Sequence, residues 1–190
     1  GQVVSMLGTG MTNFALAFWI FDEAGTATAL TWSIFFFMGP TVLLSPLAGA
    51  IVDRSNRKMM LILTDLIAGV STIALLLLLS TDSLEIWHIY VVNFVAGAAN
   101  SFQFPAYSAA VTMMLPKEQY ARASGMLSLA GSASGILAPA FAGALLGSSG
   151  LVGIMAIDVA TFIIAIVALI FVHIPQPEKT AVGQTSQGNL

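Results

Sequence analysis

The sequence predicts an all-α, polytopic membrane protein with six transmembrane helices. The first observation is composition. The 190-residue chain is 57% hydrophobic and 8% charged, whereas a soluble domain carries roughly 25% charged residues. The second is the placement of the basic residues. Arg54, Arg57 and Lys58 form one group, Lys117 and Arg122 a second, and Lys179 stands alone. The third is what lies between them: apolar stretches long enough to cross a bilayer, joined by turns that hold acids or no charge. Basic residues are retained on the cytoplasmic side during insertion. The pattern therefore puts the even-numbered turns and the C-terminus on that side of a cell membrane.

A bilayer core about 30 Å thick needs about 20 helical residues. The first span covers residues 2–21. Gly1 is not a start methionine, so further residues are expected upstream. The span is too long and too polar for a cleaved signal peptide, and no small-residue cleavage site follows it. Asp22, Glu23 and Gly25 form an external acidic turn. The second span covers residues 30–52, with Pro40 and Pro46 expected to kink it. Residues 53–58 make the first basic turn. The third span covers residues 59–79, and Thr81, Asp82, Ser83 and Glu85 make an external turn. The fourth covers residues 86–109 and carries Pro105, with an amphipathic, interfacial continuation to Leu115. Residues 116–122 make the second basic turn. The fifth span covers residues 123–146. Gly147, Ser148, Ser149 and Gly150 are expected to form an uncharged external hairpin. The sixth covers residues 151–172, stopped by Pro175 and Pro177 with Lys179 just inside. Residues 1–175 thus form one transmembrane bundle. Residues 176–190 read as a polar, disordered tail.

Only helices or closed barrels satisfy their backbone groups in lipid. Unbroken apolar runs without period-two alternation exclude the barrel. There are no cysteines, so neither a disulfide framework nor a thiolate metal site is expected. No cofactor and no metal is implied, and nothing is basic enough to bind nucleic acid.

The most specific local pattern is Gly49-Ala-Ile-Val-Asp53-Arg54-Ser-Asn56-Arg57-Lys58, between spans two and three. In spacing, position and sidedness it resembles the loop signature of the major facilitator superfamily, with Asn56 where that family usually has Gly. Asn tolerates a left-handed backbone better than most residues, so the departure is a mild one. Gly1-Gln2, Ser5, Leu7-Gly8, Leu47-Ala48-Gly49, Phe104-Pro105-Ala106 and Ile157-Asp158 resemble the macrolide-efflux-type drug exporters of that superfamily. Gly131, Gly135, Pro139 and Gly143 resemble the glycine- and proline-rich fifth helix of its exporters. The spacing before the proline is one residue short, and Ala138 replaces a Gly. Ordinary small-residue helix packing accounts for the same residues.

The resemblance implies a six-helix half of a twelve-helix secondary transporter, built from two three-helix repeats, with the substrate path between halves. It implies proton-motive-force-driven efflux, and a loop (Gly49, Asp53, Arg54, Arg57, Lys58 and Arg122) that biases the inward/outward equilibrium through pairing of Asp53 with Arg54, Arg57 or Arg122. Its partners would be membrane lipid, a small apolar or cationic substrate, and either a C-terminal six-helix half or a second copy. Family members often carry a proton-coupling Arg in span four. Asn93 stands there before Phe-Val-Ala-Gly97, so that role does not carry over.

Polar groups in hydrocarbon need a partner or a water-filled cavity. Ser5, Thr9 and Asn13 recur at steps of four along span one. Asn93, Asn100 and Tyr107 recur at steps of seven along span four, with Gln103 beside them. Both spacings return to one helical face. In the fold that the resemblance implies, spans one and four line the central path. Asn13, Asn93, Asn100, Gln103 and Tyr107 are therefore candidates for that path, with Phe14 and Phe104 as apolar walls. Interhelical hydrogen bonding is the alternative role for each polar group. Asp65 and Asp158 are the intramembrane acids. Each is a candidate proton site or a structural hydrogen-bond partner. His88 and His173 sit at opposite membrane faces.

Two other classes fit parts of the pattern. Gly147-Ser148-Ser149-Gly150 matches a short serine-protease string with His88 on the same side, a weak signal because a catalytic Ser needs a base in reach. The chain could also be a half-size membrane protein that does not transport alone, or one that acts as a homodimer.

Overall fold

A computed structural model describes residues 2–171, and every regular element within them is helical. The elements are α1 (Gln2–Ala24), α2 (Ala27–Arg54), α3 (Arg57–Ser80), α4 (Ile86–Met114), a 3-10 turn (Lys117–Gln119) and α5 (Tyr120–Phe171). By length and apolar composition, Val3–Ala24, α2, α3 and the stretch Lys117–Phe171 can each cross a membrane. The expected tail at 176–190, and with it Lys179, His173 and the prolines at 175 and 177, lies outside the described residues.

The helix ends follow local chemistry. Gly25 takes φ 62° and donates its N–H to the Phe21 carbonyl at 3.0 Å, a left-handed stop that Gly adopts without steric cost. Asn56 marks the boundary between α2 and α3. It is extended, at φ −69° and ψ 111°, and its side chain accepts the Met59 N–H at the start of α3. Asn is among the best N-cap residues, so capping, rather than a positive φ, accounts for it. At the opposite end of the bundle, Glu85 and His88 cap α4 reciprocally. The Glu85 N–H donates to His88 Nδ1 at 3.0 Å, which commits that ring nitrogen to the cap.

Pro40 and Pro46 sit inside an unbroken α2. The continuation of α4 stays helical to Met114, through Pro105. The expected four-residue turn narrows to a single residue. Residues 147–149 remain helical, and Gly150 alone leaves helical geometry, at φ 63° and ψ −174°. Two helical stretches join there, so the described residues form five continuous α-helices where six separate ones were expected. Gly lacks the Cβ that makes positive φ costly, so one residue suffices for the break.

α1 packs chiefly against α5, α2 against α4, and α3 against both α4 and α5. A column of polar contacts ties α2 to α4. Tyr90 Oη donates to the Ala29 carbonyl at 3.1 Å. Asn93 Nδ2 donates to Ser33 Oγ at 2.7 Å and to the Ser33 carbonyl at 3.1 Å. Thr41 Oγ1 lies within reach of the Gly97 carbonyl, at 2.9 Å. Gly97 is what allows this approach, because a Cβ there would overlap the Phe37 carbonyl. Without a hydrophobic drive between helices in lipid, such close backbone contact and interhelical hydrogen bonding supply the association.

Apolar clusters hold the two ends of the bundle. Leu16, Ile20, Leu75, Ile89 and Met155 form one. Val52, Leu61, Ala106, Ala110 and Leu169 form the other. A third, of Met11, Ala15, Ala138, Ala142 and Ile154, fastens α1 between the two stretches of α5. The outer surface is apolar as well: Leu43, Ile136 and Phe104 are 76%, 74% and 83% exposed.

Gly97→Ala should separate α2 from α4 and cost about 1–3 kcal/mol, the usual range for overpacking. Denaturation of the purified protein in mild detergent measures this. An unchanged midpoint would mean that the contact is not a constraint.

Candidate functional site

Between the two end clusters the bundle turns polar. α3 passes from Leu61 in one cluster to Leu75 in the other, and the residues between include Thr64, Asp65, Ser71 and Thr72. α4 passes from Ile89 to Ala106, and between them lie Asn93, Asn100 and Gln103. α1 adds Ser5, Thr9, Thr12 and Asn13, and α5 adds Ser134 and Asp158. Together they line a cavity of about 340 Å³. That is within the usual size range of small-molecule pockets, about 300–1,000 Å³.

Two carboxylates anchor its walls. Asp158, 2% exposed, receives the Thr9 hydroxyl on Oδ1 at 3.1 Å and the Thr72 hydroxyl on Oδ2 at 3.2 Å. One side chain of α5 thereby binds α1 and α3. Thr12, one turn along α1, lies against the same carboxylate, but its hydroxyl falls outside hydrogen-bonding geometry and is left without a partner. Gly8 lets α1 come this close, because a Cβ there would press on Asp158 and Thr161. Asp65, 7% exposed, accepts from Gln103 Nε2 at 2.9 Å and so joins α3 to α4.

The cavity brings together Asn13, Asn93, Asn100, Gln103, Asp65 and Asp158 from the sequence-predicted set. Asn93 and Gln103 are at the same time hydrogen-bonded within the bundle, to Ser33 and to Asp65. Phe14 and Phe104 are exposed on the outside and are not among the lining residues. Tyr107 packs near Val52 and Leu61 at the end that carries the basic turn.

At that end the cations reach helix termini. Lys58 Nζ donates to the Ile170 carbonyl at 2.8 Å, near the end of α5, where the helix dipole favours a positive charge. An Arg57 Nη reaches the Met113 sulfur near the end of α4, and Arg57 Nε is buried without a partner. Asp53 and Arg122 are exposed. Among the described residues, no ion pair joins Asp53 to Arg54, Arg57 or Arg122. Gly49 has open space beside it, as do Gly135 and Gly143 of the helix-five motif. Gly131 faces Met6, Pro139 lies within α5, and Ala138 is buried where α1 approaches at Gly10.

Sequence reasoning missed Thr12, Thr64, Ser71, Thr72 and Ser134. The signal was available for α3. Thr64 and Ser71, like Asp65 and Thr72, are seven residues apart, the spacing that drew attention to Asn93 and Asn100 on α4.

Asp158→Ala should leave the Thr9 and Thr72 hydroxyls without their shared acceptor. Interhelical hydrogen bonds in membranes average about 0.6 kcal/mol each, so a loss of about 1 kcal/mol is expected. Equilibrium unfolding in detergent reads it. A Thr9→Val, Asp158→Ala double variant no less stable than Asp158→Ala alone would confirm that the two groups act as a pair.

The sequence profile of the Major Facilitator Superfamily matches residues 1–189. Macrolide efflux protein A of Streptococcus pyogenes is 30% identical over 176 residues, covering 93% of this chain and 44% of that protein. A protein of the same name from Enterococcus faecalis is 32% identical over 152 residues, covering 80% of this chain and 47% of its own length. An uncharacterized MFS-type transporter of Bacillus subtilis, YkuC, is 26% identical over 185 residues, or 97% of this chain and 43% of that transporter. The chain spans less than half the length of these relatives.

Proposed function

The chain belongs to the Major Facilitator Superfamily, and on that premise we propose that it is the N-terminal half of a secondary active exporter of hydrophobic, macrolide-like compounds. In this reading α5 contributes two membrane spans meeting at Gly150, which makes six in all. Asp53–Lys58 faces the cytoplasm of a bacterial cell, as does the C-terminus. The proton-motive force drives efflux, with Asp158 or Asp65 as the proton site. The loop around Asp53, Arg54, Arg57, Lys58 and Arg122 biases the exchange between inward- and outward-facing states.

The observation that carries the reading is the polar cavity at mid-depth in an otherwise apolar bundle. Polar groups in a membrane interior are costly and mark substrate or ion pathways. Asn13, Asn93 and Asn100 supply neutral contacts suited to large, mainly apolar molecules. Phe14, Phe104 and the open glycines of α5 lie on faces available to a second six-helix half. The names of the relatives support macrolides as the substrate class, and their greater length supports a missing half. That same length carries the second reading, in which this chain alone transports nothing or acts only as a homodimer.

Sidedness is tested by labelling. The chain has no native cysteine, so Ser55→Cys should react with an impermeant maleimide only after the cells are opened. Reaction in intact cells would invert the topology. Function is tested by resistance. In cells lacking drug exporters, the 190-residue chain alone should give no macrolide resistance, and fusion to a matching C-terminal half should restore it. In the fused protein, Asn100→Leu should change the range of compounds exported more than the amount of protein made. Resistance from the chain alone would favour the homodimer.

A further inference from the structure

The polar ring around Asp158 differs from the rest of the cavity in one respect. All of its side-chain groups are oxygens, and they come from three helices. Asp158 supplies two carboxylate oxygens, α1 supplies the Thr9 and Thr12 hydroxyls, and α3 supplies that of Thr72. No Lys, Arg or His lines the cavity, so no side chain there offsets the charge of an ionised Asp158. Thr12 is 3% exposed, and its hydroxyl has no partner. A buried hydroxyl left unpaired is uncommon and calls for a group that the protein itself does not provide. Ser134, 6% exposed, opens a second unpartnered hydroxyl into the same cavity.

We propose that Asp158, Thr9, Thr12 and Thr72 form a binding site for a small alkali cation, sodium by preference. Hard, weakly polarising cations take carboxylate and hydroxyl oxygen ligands. A single carboxylate balances a single positive charge. Among the described residues no group of three or more His, Cys, Asp or Glu could hold a metal ion, which argues against a divalent cation. The oxygens are closely spaced, at 3.1 and 3.2 Å across the two hydrogen bonds, which favours a small ion over a large one.

Two of the three hydroxyls can turn from donating to coordinating without moving a helix. A threonine hydroxyl has one proton and two lone pairs. The Thr72 hydroxyl lies 3.3 Å from the Ala68 carbonyl as well as 3.2 Å from Asp158. Turning its proton to Ala68 presents a lone pair to the space beside the carboxylate. The Thr12 hydroxyl has no bond to break. The bound ion would hold α1, α3 and the second stretch of α5 together, whatever the protein transports and in whichever direction.

The test uses the purified protein in detergent and follows unfolding by tryptophan fluorescence. Sodium chloride is titrated against choline chloride at constant ionic strength, with potassium and lithium chloride in parallel arms. A ligand that binds only the folded state raises the midpoint by mass action. The expected result is a saturable rise with sodium, a smaller one with potassium and none with choline. Thr12→Val should weaken the apparent sodium affinity about tenfold, equivalent to one lost contact to a charged group. Thr12→Ser should keep it, and Asp158→Asn should abolish it. If Asp158→Asn does not fold, the two Thr12 variants still decide. Identical midpoints in sodium and choline would overturn the proposal, with water completing the ring. Unchanged sodium dependence in Thr12→Val would also overturn it, as would stabilisation that follows pH and ignores sodium.

Discussion

The carboxylate of Asp158 sits where the bundle can least accommodate an unsatisfied charge, and the packing of three helices follows from how it is satisfied. A carboxylate at membrane depth needs hydrogen-bond donors close by. Thr9 and Thr72 reach it from opposite sides, and Gly8 gives up a side chain so that α1 can approach. The apolar clusters then close above and below this level, and the third cluster holds α1 between the two stretches of α5. The order matters physically. In lipid there is no hydrophobic drive to bring apolar side chains together, and only close packing and polar bonding distinguish one neighbour from another. Polar contacts and close backbone approach therefore set which helices are neighbours, and the apolar residues fill in around them.

The α2–α4 pair follows the same rule by a different device. Here the polar column runs along the contact, from Tyr90 through Asn93 to Gly97. Asn93 satisfies Ser33 and also lines the cavity. Gln103 does the same with Asp65. Interhelical bonding and cavity lining coincide in these two side chains. A group bonded along one edge of its amide still offers the other edge.

Periodicity in the sequence was sufficient to find faces but not their partners. The four-residue step of Ser5, Thr9 and Asn13 and the seven-residue step of Asn93 and Asn100 marked cavity-lining surfaces. One further step brings Tyr107 to the apolar cluster at the end of the bundle rather than to the cavity. Depth ended the stripe, and a helical wheel has no depth. Thr12 and Thr72 escaped notice because threonine is common in membrane helices, where it can bond its own backbone. Only the fold brings them to a carboxylate far along the chain. Asn56 shows a related limit: a residue that tolerates two conformations does not announce which one its neighbours require. The string from Gly147 to Gly150 looked like a loop by composition, yet one glycine was enough to interrupt the helix.

That single-residue break has a mechanical consequence. A loop of several residues is a slack tether, and the segments it joins can slide or tilt independently. Gly150 has no such slack. The first stretch of α5 presents open glycines at Gly135 and Gly143, and the second carries Asp158 among its buried residues. Displacement of one stretch along its axis must pull the other through the joint, as two rods share a pin. Pressure on the glycine face would thus reach the stretch that carries the carboxylate and its threonine bonds.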